Sequence, residues 1–229
     1  MRMFLGDSTY ILVVIGLIIT AIASARVQGT FKKYSKTTNI MGYTAEQVAK
    51  LILESAGIFD VKIERVSGNL TDHYAPTQKV LRLSDSVYGK KSVAAIGVAA
   101  HECGHAIQHQ VGYKPLSLRS VAVPLANIGS YLSWPLVVLG VILEKVNLID
   151  VGILLFVFVV LFELLTLPVE FNASHRAMNI LQEKSILAGD ELTGARKVLM
   201  SAAMTYVAAL LSSLLQLLRL ILIANRRRD

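Results

Sequence analysis

The chain has 229 residues, 54% of them hydrophobic, a mean hydropathy of +0.55 and a formal net charge of +7. That length holds one compact domain, yet the composition is too apolar for a wholly water-soluble fold and calls for membrane segments. The charge does not point to nucleic acid, because much of it gathers beside an apolar run, and the single cysteine, Cys103, excludes an internal disulfide and fits a reducing compartment.

Ser8 to Ala25 is the first of four apolar stretches near the roughly 20 residues that cross a bilayer. Arg26, Lys32, Lys33 and Lys36 follow it closely, which marks that end as cytoplasmic. Ala23-Ser24-Ala25 has the look of a signal-peptidase site, but the positive charge lies after the apolar run rather than before it, so an anchor is expected. The pattern then turns to a small mixed soluble region. Thr44 reads as the N-cap of an amphipathic helix reaching about Ala56, with Gly57 as terminator. Val61 to Val66 (VKIERV) alternates as a strand, and Asn69 to Tyr74 and Lys79 to Leu83 read as two more, joined by a turn at Ala75-Pro76-Thr77. Leu70, Thr71, Asp72, His73 and Tyr74 are the expected edge strand, on which an extended peptide would lie as an added strand. A plain hairpin with its polar residues in water fits the same letters.

A proline-free run of small residues, Ser92 to Ala100, leads into His101-Glu102-Cys103-Gly104-His105. Histidines four apart on a helix stand one above the other and can share a zinc ion, and the intervening glutamate can serve as the base for a water in the open position. The plain alternative is a buried helix whose histidines bond to neighbours. Gly104, unfavourable in a helix by roughly 1 kcal/mol relative to alanine, suits a place where another backbone or a substrate comes close. Cys103, turned about 200° from His101, is expected to be buried filler. His109 lies a rise of roughly 12 Å beyond His101, too far for the same metal.

Val121 to Leu143, Val151 to Leu167 and Val198 to Leu218 are the remaining apolar stretches. Lys114 and Arg119 precede the first of them, and the turn after it carries Glu144, Lys145 and Asp150, so residues 26–120 and 170–197 are placed in the cytoplasm. Four crossings would then leave Arg226, Arg227 and Arg228 outside, so either the last helix stops short or it is an exception to the positive-inside tendency. Glu163, inside the third stretch, is expected to pair with Arg219 or to lie shallow enough to meet water. Thr205, Ser212, Gln216 and Arg219 form one polar stripe suited to packing inside a bundle. A third zinc ligand must come from elsewhere in the chain. Of Glu163 and Glu170, the latter, after Pro168 and near the cytoplasmic end, is the better choice. His73, Tyr74, His175 and Arg176 are the groups that could steady a transition state.

His101 to His105, the longer run His-Glu-Cys-Gly-His-Ala-Ile-Gln, Val169 to Ala177 (VEFNASHRA) and Asn69 to Pro76 (NLTDHYAP) together resemble the bacterial membrane-bound neutral zinc metallopeptidases of the YugP-like group, over essentially the whole chain. The chain is more distantly similar to integral-membrane heat-shock and prenyl-protein endopeptidases, in which a two-helix membrane hairpin also separates the two halves of the zinc site. The resemblance implies Glu170 as third ligand and the Leu70 to Tyr74 strand as substrate edge. Such proteases usually carry an aspartate four residues after the ligand glutamate, where it orients a zinc-bound histidine. Here that position is Ser174, a weaker acceptor, so Asp72 or a backbone carbonyl is the expected substitute.

The reading is an α+β chain: a helical membrane protein with about four apolar helices and a small zincin-like domain. Its parts are an N-terminal transmembrane helix (1–25), a zincin-like catalytic region (26–120), a transmembrane hairpin (121–169), a third-ligand helical segment (170–197) and a C-terminal apolar helix with a basic tail (198–229). The expected function is that of an integral-membrane zinc metalloendopeptidase, with one Zn²⁺ held by His101, His105 and Glu170 and with Glu102 as general base. Its expected partners are the lipid bilayer and a peptide or membrane-protein substrate, with no nucleic acid, and its expected place is the bacterial cell membrane. A non-catalytic adaptor holding structural zinc is the alternative, against which the intact Glu102 argues. A zinc hydrolase of lipid or another non-peptide substrate is a third.

Overall fold

The structure, a computed structural model, describes residues 8–227. Its elements in chain order are α1 (Tyr10–Tyr34), α2 (Ala45–Ser55), β1 (Lys62–Val66), β2 (His73–Ala75), β3 (Val80–Ser84), α3 (Val93–Gln110), α4 (Lys114–Ile142), α5 (Val146–Glu183) and α6 (Gly189–Asn225). The α+β reading holds: α1, α4, α5 and α6 are each long and apolar enough to cross a membrane, and the three strands form one small mixed sheet. Each long helix outruns its apolar stretch by several residues. The chain divides into two compact units, one of residues 1–24, 117–167 and 205–229 and the other of residues 25–116 and 168–204.

The second unit begins from α2. The Thr44 N–H donates to Gln47 Oε1 at 2.9 Å, which closes the helix start, and Ala45, Val48, Ala49, Ile52 and Leu53 form its buried face. Gly57, at φ +72°, turns the chain away. In the sheet, β3 is central. It pairs parallel with β1 and antiparallel with β2, so β2 is an outer strand, with His73 opposite Arg82 and Tyr74 opposite Leu81. The helix α3 opens on Ser92, whose hydroxyl accepts from the Ala95 N–H at 3.2 Å, and packs against α2, β2 and β3. Its small residues Ala95, Ala99 and Ala100 are fully buried with Leu81, Leu83 and Ile96 in one apolar cluster, to which α5 adds Ala177 and Leu181 and α6 adds Ala195 and Leu199.

The expected edge strand is shifted. Of Leu70 to Tyr74 only His73 and Tyr74 are in β2, which runs on to Ala75; Leu70 has a positive φ of 54°, and Thr71 and Asp72 precede the strand. The third-ligand helical segment, 170–197, is made of the end of one helix and the start of the next. Residues 170–183 continue α5 without a break, and α6 has begun at Gly189.

In the first unit, the α4–α5 hairpin is packed through small residues. A Cβ on Gly152 would come within 2.9 Å of the Ser133 carbonyl oxygen, so the two helices meet backbone to backbone there. Glu163 accepts from Ser213 at 2.9 Å rather than pairing with Arg219, whose guanidinium lies over Tyr10, 4.2 Å from the ring centroid, and near Trp134 at 5.7 Å. Ser212, in the polar stripe, lies where a Cβ on Gly16 would stand, so the stripe includes a packing surface for α1. Arg228, part of the basic tail read from the sequence, and residues 1–7 of the first segment lie outside the described residues.

Candidate metal centre

His101 and His105 lie one turn apart on α3 with ring centroids separated by 4.8 Å and planes at 83°. Both turn Nε2 to the same point. Glu170, carried on α5 and 2% exposed, brings its Oε2 to 3.3 Å from His101 Nε2 and 3.5 Å from His105 Nε2. The three residues form a group that could hold a metal ion, each offering one ligand atom, all within 4.8 Å of one another. The donor set fits zinc. Bonds of about 2.0–2.1 Å in a tetrahedron give ligand–ligand edges of about 3.3–3.4 Å, close to the two distances from the carboxylate.

The approach of α5 to α3 depends on Gly104. A Cβ there would stand 2.5 Å from the Ala173 carbonyl oxygen and 3.1 Å from the Ala173 carbonyl carbon and Cα, so only glycine lets the two backbones come this close. Another backbone, not a substrate, therefore occupies the space that the sequence left open. Ala173 is one turn beyond Glu170, so the same contact sets the depth of the carboxylate.

The second nitrogen of each imidazole is also engaged, which leaves Nε2 for the metal. Ser174 Oγ lies 3.1 Å from His101 Nδ1, so the residue in the usual aspartate position still serves that histidine. Asp72, offered by the sequence for this task, is spent elsewhere: its carboxylate accepts from the Ser84 N–H at 2.7 Å and the Ser84 hydroxyl at 2.8 Å. Burial pushes the Asp72 carboxyl above its ordinary value, and these two bonds pull it partly back. His105 Nδ1 faces Gln108 Oε1 at 3.0 Å. Fully buried Gln108 donates in turn to the Val169 carbonyl at 2.8 Å and to Asn172 Oδ1 at 3.0 Å, and Arg176 Nε donates to that same oxygen at 2.8 Å. Burial alone would disfavour a charge on His105, but the Glu170 carboxylate, with Glu102 near, outweighs it and raises the ring's pKa.

Gln108 and Asn172 are the members of this network to which the sequence reading gave no role. The first stands three residues past His105, on the same helix face, and the second two past Glu170, offsets at which a polar residue is ordinary, so the sequence carried no signal for either. Among the groups read as transition-state partners, Arg176 is joined to the centre through Asn172 and Gln108, and its guanidinium lies 6.0 Å from the Tyr113 ring centroid. His73 Nδ1 is 2.9 Å from the Thr71 carbonyl, with Arg82 Nη1 3.5 Å from its other nitrogen. Tyr74 OH meets His109 Nδ1 at 3.0 Å, which gives His109 a partner away from the ligand set. His175 is exposed and bonds Asn179 on its own helix. Cys103 is fully buried, its Sγ 3.5 Å from the Ala49 carbonyl, and burial raises its thiol pKa well above the usual value, as befits inert filler.

Two imidazoles on one helix and a carboxylate from another form a group that could hold a metal ion, in a chain with four helices long and apolar enough to cross a membrane. Sequence comparison gives the family: residues 9–225 match the one described as "Putative neutral zinc metallopeptidase", and the chain belongs to it. A relative from Bacillus subtilis (strain 168), "Putative membrane protease YugP", is 47% identical over 207 residues, which cover 90% of this chain and 92% of the relative. No solved structure matches the chain.

Proposed function

We propose that the protein is an integral-membrane zinc endopeptidase whose single metal is held by His101, His105 and Glu170. The observation that carries this reading is the meeting of Glu170 Oε2 with both Nε2 atoms at 3.3 and 3.5 Å, across two helices far apart in sequence. Zinc, when bound, supplies a Lewis acid that polarises a scissile carbonyl and makes water acidic enough to give up a proton. Glu102, next to His101 on the same helix, would act as the general base for the attacking water and would return the proton to the leaving amine. Ser174 and Gln108 hold the two imidazoles in the orientation that presents Nε2, and the fixed approach at Gly104 keeps Glu170 in place. The outer side of β2, which pairs with no further strand among the described residues, offers backbone groups to an extended peptide, which favours peptide over lipid as substrate. The reacting region, 26–120 with 170–197, faces the cytoplasm of the cell membrane in this reading, since Arg26, Lys32, Lys33 and Lys36 follow the first apolar run.

The test is a comparison of wild type with Glu102→Gln, each purified in detergent. Equal bound zinc with cleavage of an unfolded protein lowered by about 10²-fold or more is the expected result. Equal cleavage in the two proteins would refute the role of Glu102, and equal cleavage after removal of the metal would refute the metal site.

A further inference from the structure

Between α1 and α6, wholly within the unit that carries the metal centre, lies a cavity of about 440 Å³ whose charged lining is Arg26, Lys33 and Lys197. No acidic side chain lines it, and none of the three cations forms a salt bridge among the described residues. Like charges gathered round one space repel, and an anion placed there relieves that repulsion.

Depth identifies the anion. Along α1 no charged residue occurs from Ser8 to Ala25, and along α6 none occurs from Val198 to Leu218. Arg26 and Lys197 are therefore the first charges met on leaving each apolar run, at the level of lipid headgroups. Lys33 stands seven residues beyond Arg26, a rise of roughly 10 Å, so the cations span a headgroup rather than surround a point ion. On α6, Met200 and Met204 continue the lining from Lys197 into the apolar run, an adaptable surface for the acyl-proximal part of a lipid. Tyr34 forms a fixed wall: its ring packs on Gly194, where a Cβ would stand 2.7 Å from Tyr34 Cδ1, and Lys33 Nζ lies 5.5 Å from the ring centroid.

We propose that this cavity binds the phosphodiester headgroup of an anionic phospholipid. The lipid joins α1 to α6 at the membrane surface. The site shares no residue with the metal centre, so it stands whether or not the chain cleaves peptides.

The experiment is native mass spectrometry of the full chain in a neutral detergent, titrated with phosphatidylglycerol, phosphatidylcholine or inorganic phosphate. Wild type is expected to retain phosphatidylglycerol at about tenfold lower concentration than phosphatidylcholine, and Lys33→Gln/Lys197→Gln to lose that preference. Lys33→Arg/Lys197→Arg and the control Lys90→Gln/Lys91→Gln should keep it. Lys197→Gln alone, on an exposed position, gives the same reading should the pair fail to fold. Equal retention of the two lipids by wild type, or a preference that survives in a folded Gln variant, would overturn the proposal. So would displacement of the lipid by millimolar phosphate, which would make the site one for the free ion.

Discussion

Gln108 has no chemistry of its own in peptide hydrolysis, yet it is fully buried and joins His105 to the backbone of α5 at Val169. Replacing it by leucine keeps the volume and removes the partner of a buried N–H, which costs about 1–3 kcal/mol. If His105 is a ligand, Gln108→Leu should lower zinc affinity by about 10- to 100-fold, read by competition with a chelator. Ser174→Ala should cost less, because Ser174 is only partly buried and water can take its place beside His101. A Gln108→Leu variant with wild-type affinity would show that the amide only packs. At this scale the sequence was legible where chemistry imposes a spacing, as at His101 and His105, whose partner residues cannot be exchanged. It was mute at Gln108, because a neutral amide three residues after a histidine looks like any polar residue until its surroundings are known to be dry. Asp72 shows the opposite failure: a carboxylate with suitable chemistry was offered to a histidine, but the chain folds it onto Ser84.

Among elements, the decisive contact is α3 against α5 at Gly104. Gly104→Ala gains about 1 kcal/mol of helix propensity, but its Cβ would meet the Ala173 carbonyl at 2.5 Å, and a backbone oxygen cannot move without moving its helix. Overpacking of this kind typically costs about 1–3 kcal/mol, so a net loss of stability is expected. The retreat of α5 also withdraws Glu170, one turn away. Thermal unfolding with and without a chelator measures both effects: wild type should lose stability when metal is removed, and Gly104→Ala should begin lower and lose less. An unchanged response to chelator would mean that the carboxylate does not depend on this approach. The helices were legible because eleven residues or more of apolar periodicity leave little freedom, as in α2. The hairpin was not. Between Gly68 and Lys79 most letters are polar, and Gly68, Leu70 and Lys79 all have positive φ, so alternation alone could not set where pairing begins, and the strand read from Asn69 starts at His73.

At the scale of the molecule, the unresolved question from sequence was whether the last helix crosses the membrane despite its basic end. The first unit answers for its own helices: α1 and α6 run side by side, with Gly16 against Ser212 and Tyr10 beneath Arg219, and at their far ends Arg226 Nη2 reaches Ser8 Oγ at 3.4 Å. The end of α6 thus lies beside the start of α1. If α1 crosses, α6 crosses in the opposite direction, and the short-stopping alternative falls. Sidedness then rests on competing charges, and Arg26, Lys32, Lys33 and Lys36 with Lys114 and Arg119 outweigh the tail at Arg226, Arg227 and Arg228. Reporters active on one side only, fused at either terminus, should therefore both report the outside, while one inserted after Lys90 reports the cytoplasm. Termini on opposite sides would contradict the Ser8–Arg226 contact itself. Termini together in the cytoplasm would leave the fold intact and invert the membrane orientation, placing the metal centre on the outer face.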